Sequence, residues 1–287
     1  MSSKNFDSII QLREYFAEKD FHPKKQFGQN FLVDKNYIKI MLDAANPKPN
    51  DLLLEIGPGG GILTRALIAT KLPVISVEID DKLVAMASEL IGNHDNWVLL
   101  HTDVMSKKSE IHPIVLQKME DLNTETVKCV ANLPYAIITP FLITLLSSVK
   151  KLESFTILIQ DEIAEKICSP AGSKAYGILS VIMSVWGDST ILKKVPHQAF
   201  WPQPNVTSAI VHIKKKPDVN TLNFLDFSKF IKEMFLHRRK KVTQQLKLYF
   251  DQPEEILNKN GVSLDARPEN INPQTWKNIF LSPARRQ

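Results

Sequence analysis

The 287-residue sequence is poor in cysteine and has no long apolar run. Its two cysteines, Cys129 and Cys168, fit neither a metal-binding nor a disulfide pattern, so we expect no metal site. No uninterrupted apolar stretch approaches the roughly 18 residues that a membrane-spanning helix needs. The N-terminus lacks a hydrophobic signal core, and Asp7 and Glu14 are untypical of an organelle transit peptide. These absences predict a cytoplasmic protein that does not associate with a membrane.

Internal repeats and low-complexity tracts are also missing, and the composition is that of an ordinary globular protein. Hydrophobic residues make up 44% of the chain and charged residues 23%. The length is sufficient for one large domain and a smaller one.

The net charge of +5 is unevenly distributed. From Lys214 to the C-terminus there are 15 Lys and Arg against 8 Asp and Glu, a net +7, whereas the rest has 21 against 23, a net −2. Lys24 and Lys25 form a second, small basic cluster. A charge run is usually a solvated surface, but a basic segment on a near-neutral body also fits a polyanion binder. Charge alone leaves both interpretations open.

Short apolar segments alternate with helical patterns up to about residue 213, which predicts an α/β fold. The strand candidates are residues 52–56, 74–78, 97–101, 127–131, 155–160 and 208–213. This alternation is typical of a Rossmann-like, doubly wound parallel sheet with helices on both faces. Beyond the charged linker at 214–220 the pattern is entirely helical. We therefore predict an N-terminal segment (1–30), an α/β domain (31–215) and a small all-helical domain (216–287).

A glycine-rich turn, Gly57-Pro-Gly-Gly-Gly61, follows the first strand candidate, where an open α/β sheet binds nucleotides. A dinucleotide dehydrogenase is the alternative interpretation, and two residues oppose it. Ile62 stands where the dinucleotide-binding pattern needs its third glycine. Pro58 removes a backbone donor from a turn that would otherwise hold a pyrophosphate. The turn fits a nucleoside cofactor that carries no phosphate.

Acidic residues lie at or near the ends of three successive strand candidates. Glu78, 21 residues beyond Gly57, can accept hydrogen bonds from both ribose hydroxyls. Asp103 can accept one from an adenine amino group, although a helix cap is an alternative role for it. Glu55 can face a sulfonium and an amino group. Together with the turn, these acids predict S-adenosylmethionine as the cofactor.

The segment Asn132-Leu-Pro-Tyr135 follows the fourth strand candidate and so opens on the same sheet edge. The Asn132 side-chain oxygen and the Pro134 carbonyl can accept hydrogen bonds from an exocyclic amine such as N6 of adenine, which makes its nitrogen more nucleophilic. Tyr135 can stack on the base. Methyl transfer to such an amine depends mainly on alignment and needs no strong base. A simple Asn-Pro turn is the alternative.

Seven sequence blocks resemble the KsgA family of small-subunit ribosomal RNA adenine dimethyltransferases, which share a fold with the erythromycin-resistance methyltransferases. The blocks lie in family order along essentially the whole chain. They are Lys25–Leu32, Leu54–Gly59, Val77–Asp80, Asn132–Tyr135, Pro170–Gly177, Phe200–Pro204 with Ser208-Ala209, and Phe235–Lys240. The chain departs from the family at Gly60, where Leu is usual, at Ala136, where many relatives have Asn, and in Gln160-Asp161-Glu162, where relatives commonly have Lys.

The resemblance implies a role for each candidate residue. The residues implied to bind the cofactor are Asn30, Leu32, Gly57, Gly59, Glu78, Asp103 and Asn132. The residues implied to take part in catalysis are Asn132, Pro134 and Tyr135. Phe200 would stack the target base opposite Tyr135, although from the residues alone it also fits a packed core. The residues implied to bind RNA are Lys24, Lys25, Arg238, Arg239, Lys240 and Lys241.

The implied reaction is the double methylation of two adjacent adenosines near the 3′ end of 16S rRNA, in an assembling 30S subunit, by a monomeric enzyme. Those adenosines must be exposed or extruded to reach the site. Two alternatives remain: a resistance-type enzyme acting on 23S rRNA, and an assembly or nucleic-acid-binding factor in which methylation is secondary.

Overall fold

The computed structural model describes residues 9–24, 28–219 and 222–286, without the side chains of Ile9, Ala136 and Asp218. The strands are β1 (Phe31–Leu32), β2 (Asp51–Ile56), β3 (Val74–Glu78), β4 (Trp97–His101), β5 (Met105–Lys107), β6 (Glu110–Ile111), β7 (Thr126–Asn132), β8 (Leu152–Gln160), β9 (Gly187–Val195), β10 (Phe200–Trp201) and β11 (Ser208–Lys215). The α-helices are α1 (Ile9–Glu18), α2 (Lys35–Ala45), α3 (Ile62–Ile68), α4 (Asp81–Ile91), α5 (Pro113–Asp121), α6 (Ile138–Ser148), α7 (Asp161–Cys168), α8 (Ile178–Trp186), α9 (Phe224–Leu236), α10 (Val242–Leu246), α11 (Pro253–Lys259) and α12 (Pro273–Phe280). Among these described residues, no helix has both the length and the apolar character needed to cross a bilayer.

A seven-stranded sheet in the order β4-β3-β2-β7-β8-β11-β9 forms the centre of the α/β part. The pairs from β4 to β8 are all parallel, as the alternating sequence pattern predicts. Every residue of β2 and of β3 is buried. Because successive side chains of a strand point to opposite faces, both faces of the central sheet are covered. The α/β prediction is confirmed.

The sheet departs from the parallel arrangement at the late strand β11, which pairs with β8 in the antiparallel direction. The residues of a buried strand have the same apolar character whichever way the strand runs, so sequence composition does not reveal this direction. The consequence is geometric: β11 begins beside the end of β8, with Ser208 opposite Gln160.

The chain divides into two compact units. The first comprises the residues up to 164 and residues 190–214, and the second comprises 165–189 and 215 onwards. The sequence-based division at 215 remains a prediction; these units differ from it by grouping 165–189 with the C-terminal helices.

Two apolar clusters stabilise the first unit. One is formed by α2, α3 and the sheet, with Met41, Leu53 and Leu67 fully buried. The other joins α1 to α4 around Phe16, whose ring lies 4.9 Å from that of Phe31 and 5.5 Å from that of Trp201. Because Phe31 begins the short β1–β10 pair, this aromatic cluster fixes the segment that enters the sheet edge.

The second unit is helical in its C-terminal part, as predicted. Helix α8 contacts both α9 and α12. The core of this unit contains the ring of Phe230, whose centroid lies 5.9 Å from that of Trp276 and 5.5 Å from that of Phe280. The segment before α8 is anchored by the Tyr176 hydroxyl, which donates to the Ile271 carbonyl at 2.7 Å.

Candidate functional site

A cavity of ≈ 240 Å³ opens in the first unit at the carboxyl ends of β2, β3 and β7. It brings together nine of the residues that the sequence selects. They are Asn30, Leu32, Gly57, Gly59, Glu78, Asp103, Asn132, Pro134 and Tyr135. The convergence follows from topology, because the carboxyl ends of neighbouring parallel strands meet at one edge of the sheet.

The glycine-rich turn forms one wall of the cavity, and three of its glycines, Gly57, Gly59 and Gly61, have a positive φ. Gly57 and Gly59 have φ of 72° and 53°, a region that other residues rarely adopt. A Cβ atom at position 59 would lie 2.7 Å from Cδ1 of Phe31. Gly60 has a different constraint, because a Cβ there would lie 2.9 Å from Cδ1 of Leu12 on α1. A larger residue at position 60 would therefore require the end of the Leu12 side chain to shift.

Glu55 is a buried carboxylate in the cavity wall. Its Oε2 accepts hydrogen bonds from Ser76, its register partner on β3, at 2.6 Å and from Thr64 on α3 at 2.8 Å. Its Oε1 is buried and has no hydrogen-bond partner among the described residues. Burial raises the pKa of Glu55 to about 7. An orphaned acceptor of this kind suits a cationic or amino group of a ligand.

We expect the stability of the ligand-free protein to depend on Glu55 between about pH 4.5, its ordinary pKa, and about pH 7, its folded-state pKa. In that window the folded state retains a proton that the unfolded state has released, so the free energy of unfolding falls as pH rises. Glu55→Gln should remove this slope and be more stable than wild type at pH 8, by up to about 3 kcal/mol. Urea unfolding at pH 5 and pH 8 measures the difference. Glu14→Gln, at an exposed position, is the control. The expectation would be contradicted if the free energy of unfolding had the same pH dependence in wild type and in Glu55→Gln.

Glu78 ends β3 at the rim of the same cavity. Its Oε1 accepts hydrogen bonds from its own neighbours, the backbone N–H groups of Ile79 at 2.9 Å and Asp80 at 3.0 Å. These bonds fix the carboxylate against the backbone. Burial raises its pKa even though the N–H groups favour the charged form. Ile79 also lines the cavity and is 43% exposed, so it offers an apolar surface beside the acid.

Asp103 lies two residues beyond the end of β4 and is exposed at the rim. Its Oδ1 accepts a hydrogen bond from the Met105 N–H at 2.9 Å, so it caps the following turn. No helix follows here, because the turn leads into β5, so Asp103 is not the helix cap that the sequence left open. The bond to Met105 uses one carboxylate oxygen, and Asp103 still lines the cavity.

Asn132, the last residue of β7, has an amide whose orientation is defined by a neighbour. Its Nδ2 donates to the backbone carbonyl of Asn30 at 2.8 Å. A carbonyl can only accept, so the nitrogen must face Asn30 and the Oδ1 oxygen occupies the other end of the amide. Asn30 is itself braced by a 3.0 Å bond from its Nδ2 to the Gly28 carbonyl. The N-terminal segment thus orients the Asn132 acceptor.

Pro134 and Tyr135 continue directly from this strand into a single 3₁₀ turn, Tyr135–Ile137. The Pro134 carbonyl accepts from the Ile137 N–H at 3.3 Å, and a carbonyl oxygen has a second lone pair for another donor. The Tyr135 hydroxyl lies 2.9 Å from the Ser208 hydroxyl of β11. Burial raises the pKa of this phenol, although its bond to Ser208 lowers it slightly.

Phe200 does not line the cavity. Its side chain is 1% exposed and belongs to the apolar cluster of α2, α3 and the sheet. It also pairs with Leu32 through the β1–β10 ladder. This position corresponds to the packed-core alternative, and it does not support stacking of Phe200 on a base.

The basic residues predicted to bind RNA have different surroundings. Lys24 forms a 2.8 Å ion pair with buried Asp80, and Lys25 lies outside the described residues. In the second unit, Arg238 pairs with Glu269 and donates to the Lys174 carbonyl at 3.2 Å.

The remaining three residues of the C-terminal basic run are all exposed. Lys241 pairs with Asp265, whereas Arg239 and Lys240 extend the exposed surface of the run. These two are the best-placed cations for binding a phosphate backbone.

Among the residues in or beside the cavity that had no role in the sequence-based prediction are Gln29, Ile79 and Ser208. Gln29 lines the cavity and donates to Asp80 at 3.1 Å, which ties the N-terminal segment to the start of α4. Ile79 supplies apolar surface, and Ser208 holds Tyr135. Gln29, Ile79 and Ser208 all lie inside sequence blocks already singled out, so the blocks were the available signal. The described part of the chain contains no cluster of His, Cys, Asp and Glu suited to a metal ion.

The sequence pattern of a family described as ribosomal RNA adenine dimethylase matches residues 20–284. One relative, the ribosomal RNA small subunit methyltransferase A of Natranaerobius thermophilus, is 32% identical over 291 residues, 96% of each chain. The protein of the same name from Ligilactobacillus salivarius is 38% identical over 234 residues, 80% of this chain and 78% of the relative.

Solved structures agree with the fold. A dimethyladenosine transferase from Plasmodium falciparum has a TM-score of 0.69 at 20% identity, covering 88% of this chain and 96% of that one. The 23S rRNA methyltransferase ErmE has a TM-score of 0.65 at 23% identity, covering 87% and 98%. At such identities the likeness concerns the fold, and it confirms the predicted methyltransferase architecture. By its sequence, the chain belongs to the ribosomal RNA adenine dimethylase family.

Proposed function

We propose that this S-adenosylmethionine-dependent rRNA adenine dimethyltransferase modifies two adjacent adenosines near the 3′ end of 16S rRNA, giving N6,N6-dimethyladenosine during 30S assembly. Support for the small-subunit substrate comes from the relatives, which are named as small subunit methyltransferases. The cytoplasmic location and monomeric state expected from the sequence belong to the same proposal. The observation that carries the chemistry is the orientation of the Asn132 amide by the Asn30 carbonyl.

The cavity residues fit the cofactor of this family. Glu55 offers an orphaned buried acceptor, and the positive-φ glycines allow a ligand to approach the backbone closely. We assign Glu78 to the ribose hydroxyls, Asp103 to the adenine amino group and Ile79 to the face of the adenine ring. When bound, S-adenosylmethionine supplies an electrophilic methyl group on a sulfonium.

The protein's contribution to transfer is alignment and polarisation of the acceptor. Asn132 Oδ1 and the Pro134 carbonyl accept hydrogen bonds from the N6–H groups, which favours a nitrogen whose lone pair is less conjugated with the adenine ring. The target adenine stacks on the Tyr135 ring. Holding the nitrogen in line with the methyl group supplies much of the rate, and the product ammonium loses its proton to solvent.

The decisive test is labelled methyl transfer to 30S particles that lack the modification, with 50S particles as the control substrate. We expect label in 16S rRNA as dimethyladenosine and none in 23S rRNA. Label only in 23S rRNA would replace the proposal with the resistance-type alternative. Binding to 30S particles without transfer would favour an assembly factor.

RNA binding should depend on Arg239 and Lys240 more than on their ion-paired neighbours. We expect Arg239→Ala/Lys240→Ala to weaken binding to 30S particles and to reduce the magnitude of the slope of log K against log salt by about 1.4 to 1.8, because each of the two lost phosphate contacts removes about 0.7 to 0.9. Cofactor affinity should be unchanged. Filter binding across a salt series measures the slope.

The matched control for that pair is Lys232→Ala/Lys259→Ala, which removes two exposed cations from elsewhere in the second unit. It should leave the slope within about 0.5 of wild type if the basic run is the contact. Equal slopes for both double variants would show that total charge matters and the position of the run does not.

A further inference from the structure

Because β11 runs antiparallel to β8, its first residue lies at the sheet edge where the parallel strands end. In a wholly parallel sheet, its last residue would lie there instead. Strand β11 starts beside the end of β8, with Ser208 opposite Gln160. The Asp161 N–H donates to the Thr207 carbonyl at 2.9 Å, which ties the two strand ends together. The parallel strands β3 and β7 reach the cavity with their last residues, Glu78 and Asn132, whereas β11 places its first residue against Tyr135, which lines the cavity.

That first residue contacts the proposed acceptor site directly. The Ser208 and Tyr135 hydroxyl oxygens are 2.9 Å apart, and either can be the donor. Ser208 is fully buried, so its hydroxyl has a fixed environment. Tyr135 is held at its backbone by the 3₁₀ turn and at the far end of its ring by Ser208. A side chain held at both ends has little freedom to rotate about its χ angles.

We propose that Ser208 is a positioning residue that sets the plane of the Tyr135 ring, and through it the tilt of the stacked target adenine. The inference rests on the proposed function, in which Tyr135 carries the base. In-line transfer requires the N6 nitrogen to lie on the axis of the breaking bond, so rotation of the ring moves the nitrogen off that axis. The phenol remains protonated at neutral pH because burial raises its pKa, and it can therefore share a proton with a neutral serine.

A purely structural pair of buried hydroxyls would give a different pattern of defects. If Ser208 only satisfied a buried phenol, removing one partner would lower stability and leave the rate of the folded enzyme unchanged. A positioning role predicts instead a lower rate of methyl transfer at saturating cofactor and RNA, with both affinities retained.

The test is a double-mutant cycle on Ser208→Ala and Tyr135→Phe, each of which removes one hydroxyl and leaves the ring in place. Single-turnover methyl transfer to unmodified 30S particles should fall about tenfold in each single variant. The double variant should also fall about tenfold, because both changes break the same hydrogen bond. Dissociation constants for S-adenosylmethionine and for 30S particles should stay within about twofold of wild type. Thr207→Ala, which removes an exposed hydroxyl next to Ser208, should transfer at the wild-type rate.

The outcomes separate this inference from the proposed function. If wild type methylates 30S particles and Tyr135→Phe does so at the wild-type rate, the positioning role is overturned, whatever the state of folding of Ser208→Ala. The positioning role would also be overturned if the transfer rate of the double variant fell by the product of the two single-variant losses, because the two hydroxyls would then act separately. A wild-type protein that does not methylate 30S particles would instead remove the proposed function itself.

Discussion

Asn132→Ala should lower methyl transfer by about 10² to 10³ while leaving the fold intact and lowering cofactor affinity much less than transfer. The expected loss is that of removing one preorganised polar group aimed at a reacting atom. Asn132 is suited to that role because its Nδ2 is bound by the Asn30 carbonyl, which leaves Oδ1 to accept from the target amine. The side chain is partly exposed at the end of β7, so truncation leaves the sheet core unchanged. Single-turnover transfer and calorimetric titration of S-adenosylmethionine measure the two properties.

A second substitution separates orientation from simple loss of a polar group. Asn132→Asp is isosteric, but it places a carboxylate oxygen opposite the Asn30 carbonyl, so the side chain should turn away or displace the N-terminal segment. We expect a loss of transfer at least as large as in Asn132→Ala, together with weaker cofactor binding. The exposed Asn93→Ala is the control for a generic asparagine substitution. Transfer near the wild-type rate in Asn132→Ala would exclude the proposed polarisation of N6.

The sequence was sufficient to predict the residues that converge on the cavity, because convergence follows from strand order. Glu78 and Asn132 are the final residues of β3 and β7, and Asp103 comes two residues after β4. Once the segments were identified as parallel strands, their ends had to meet at one sheet edge. The cavity therefore depends on local patterns that are visible along the chain.

Interactions between distant segments could not be predicted in the same way. The direction of β11 and the pairing of Ser208 with Tyr135 depend on how a late strand docks, which local composition does not encode. For Phe200, the amino-acid type is compatible with both stacking and core packing, and only its burial shows which one the fold uses.

The charged residues show the same limit. Lys24 and Arg238 belong to basic clusters in the sequence, but each is engaged by an acid far away in the chain, Asp80 and Glu269 respectively. Counting positive charges along the sequence does not distinguish these ion-paired residues from exposed cations that are able to bind RNA. Because the structure shows these ion pairs, we expect Arg239 and Lys240 to make the RNA contacts of the C-terminal run.

Glu78→Gln should weaken S-adenosylmethionine binding by about 10- to 100-fold with little change in thermal stability. The amide keeps one acceptor oxygen for the Ile79 and Asp80 N–H groups, and the start of α4 remains capped by the Asp80 side chain, which accepts from the Lys82 N–H. It loses the charge and the second acceptor oxygen that we assign to the ribose hydroxyls. Hydrogen bonds to a charged group contribute about 1.5 to 3 kcal/mol each, which corresponds to this range.

A ligand series shows whether the lost affinity belongs to the ribose. Wild type should bind a cofactor analogue that lacks both ribose hydroxyls about as weakly as Glu78→Gln binds the complete cofactor. The variant should hardly distinguish the two ligands, because the group that recognises the hydroxyls has been weakened. Asp103→Asn is the contrasting variant: it should lower affinity for both ligands by a similar factor, since we assign Asp103 to the adenine amino group. A Glu78→Gln protein that still prefers the complete cofactor as strongly as wild type does would assign ribose recognition to another residue of the cavity.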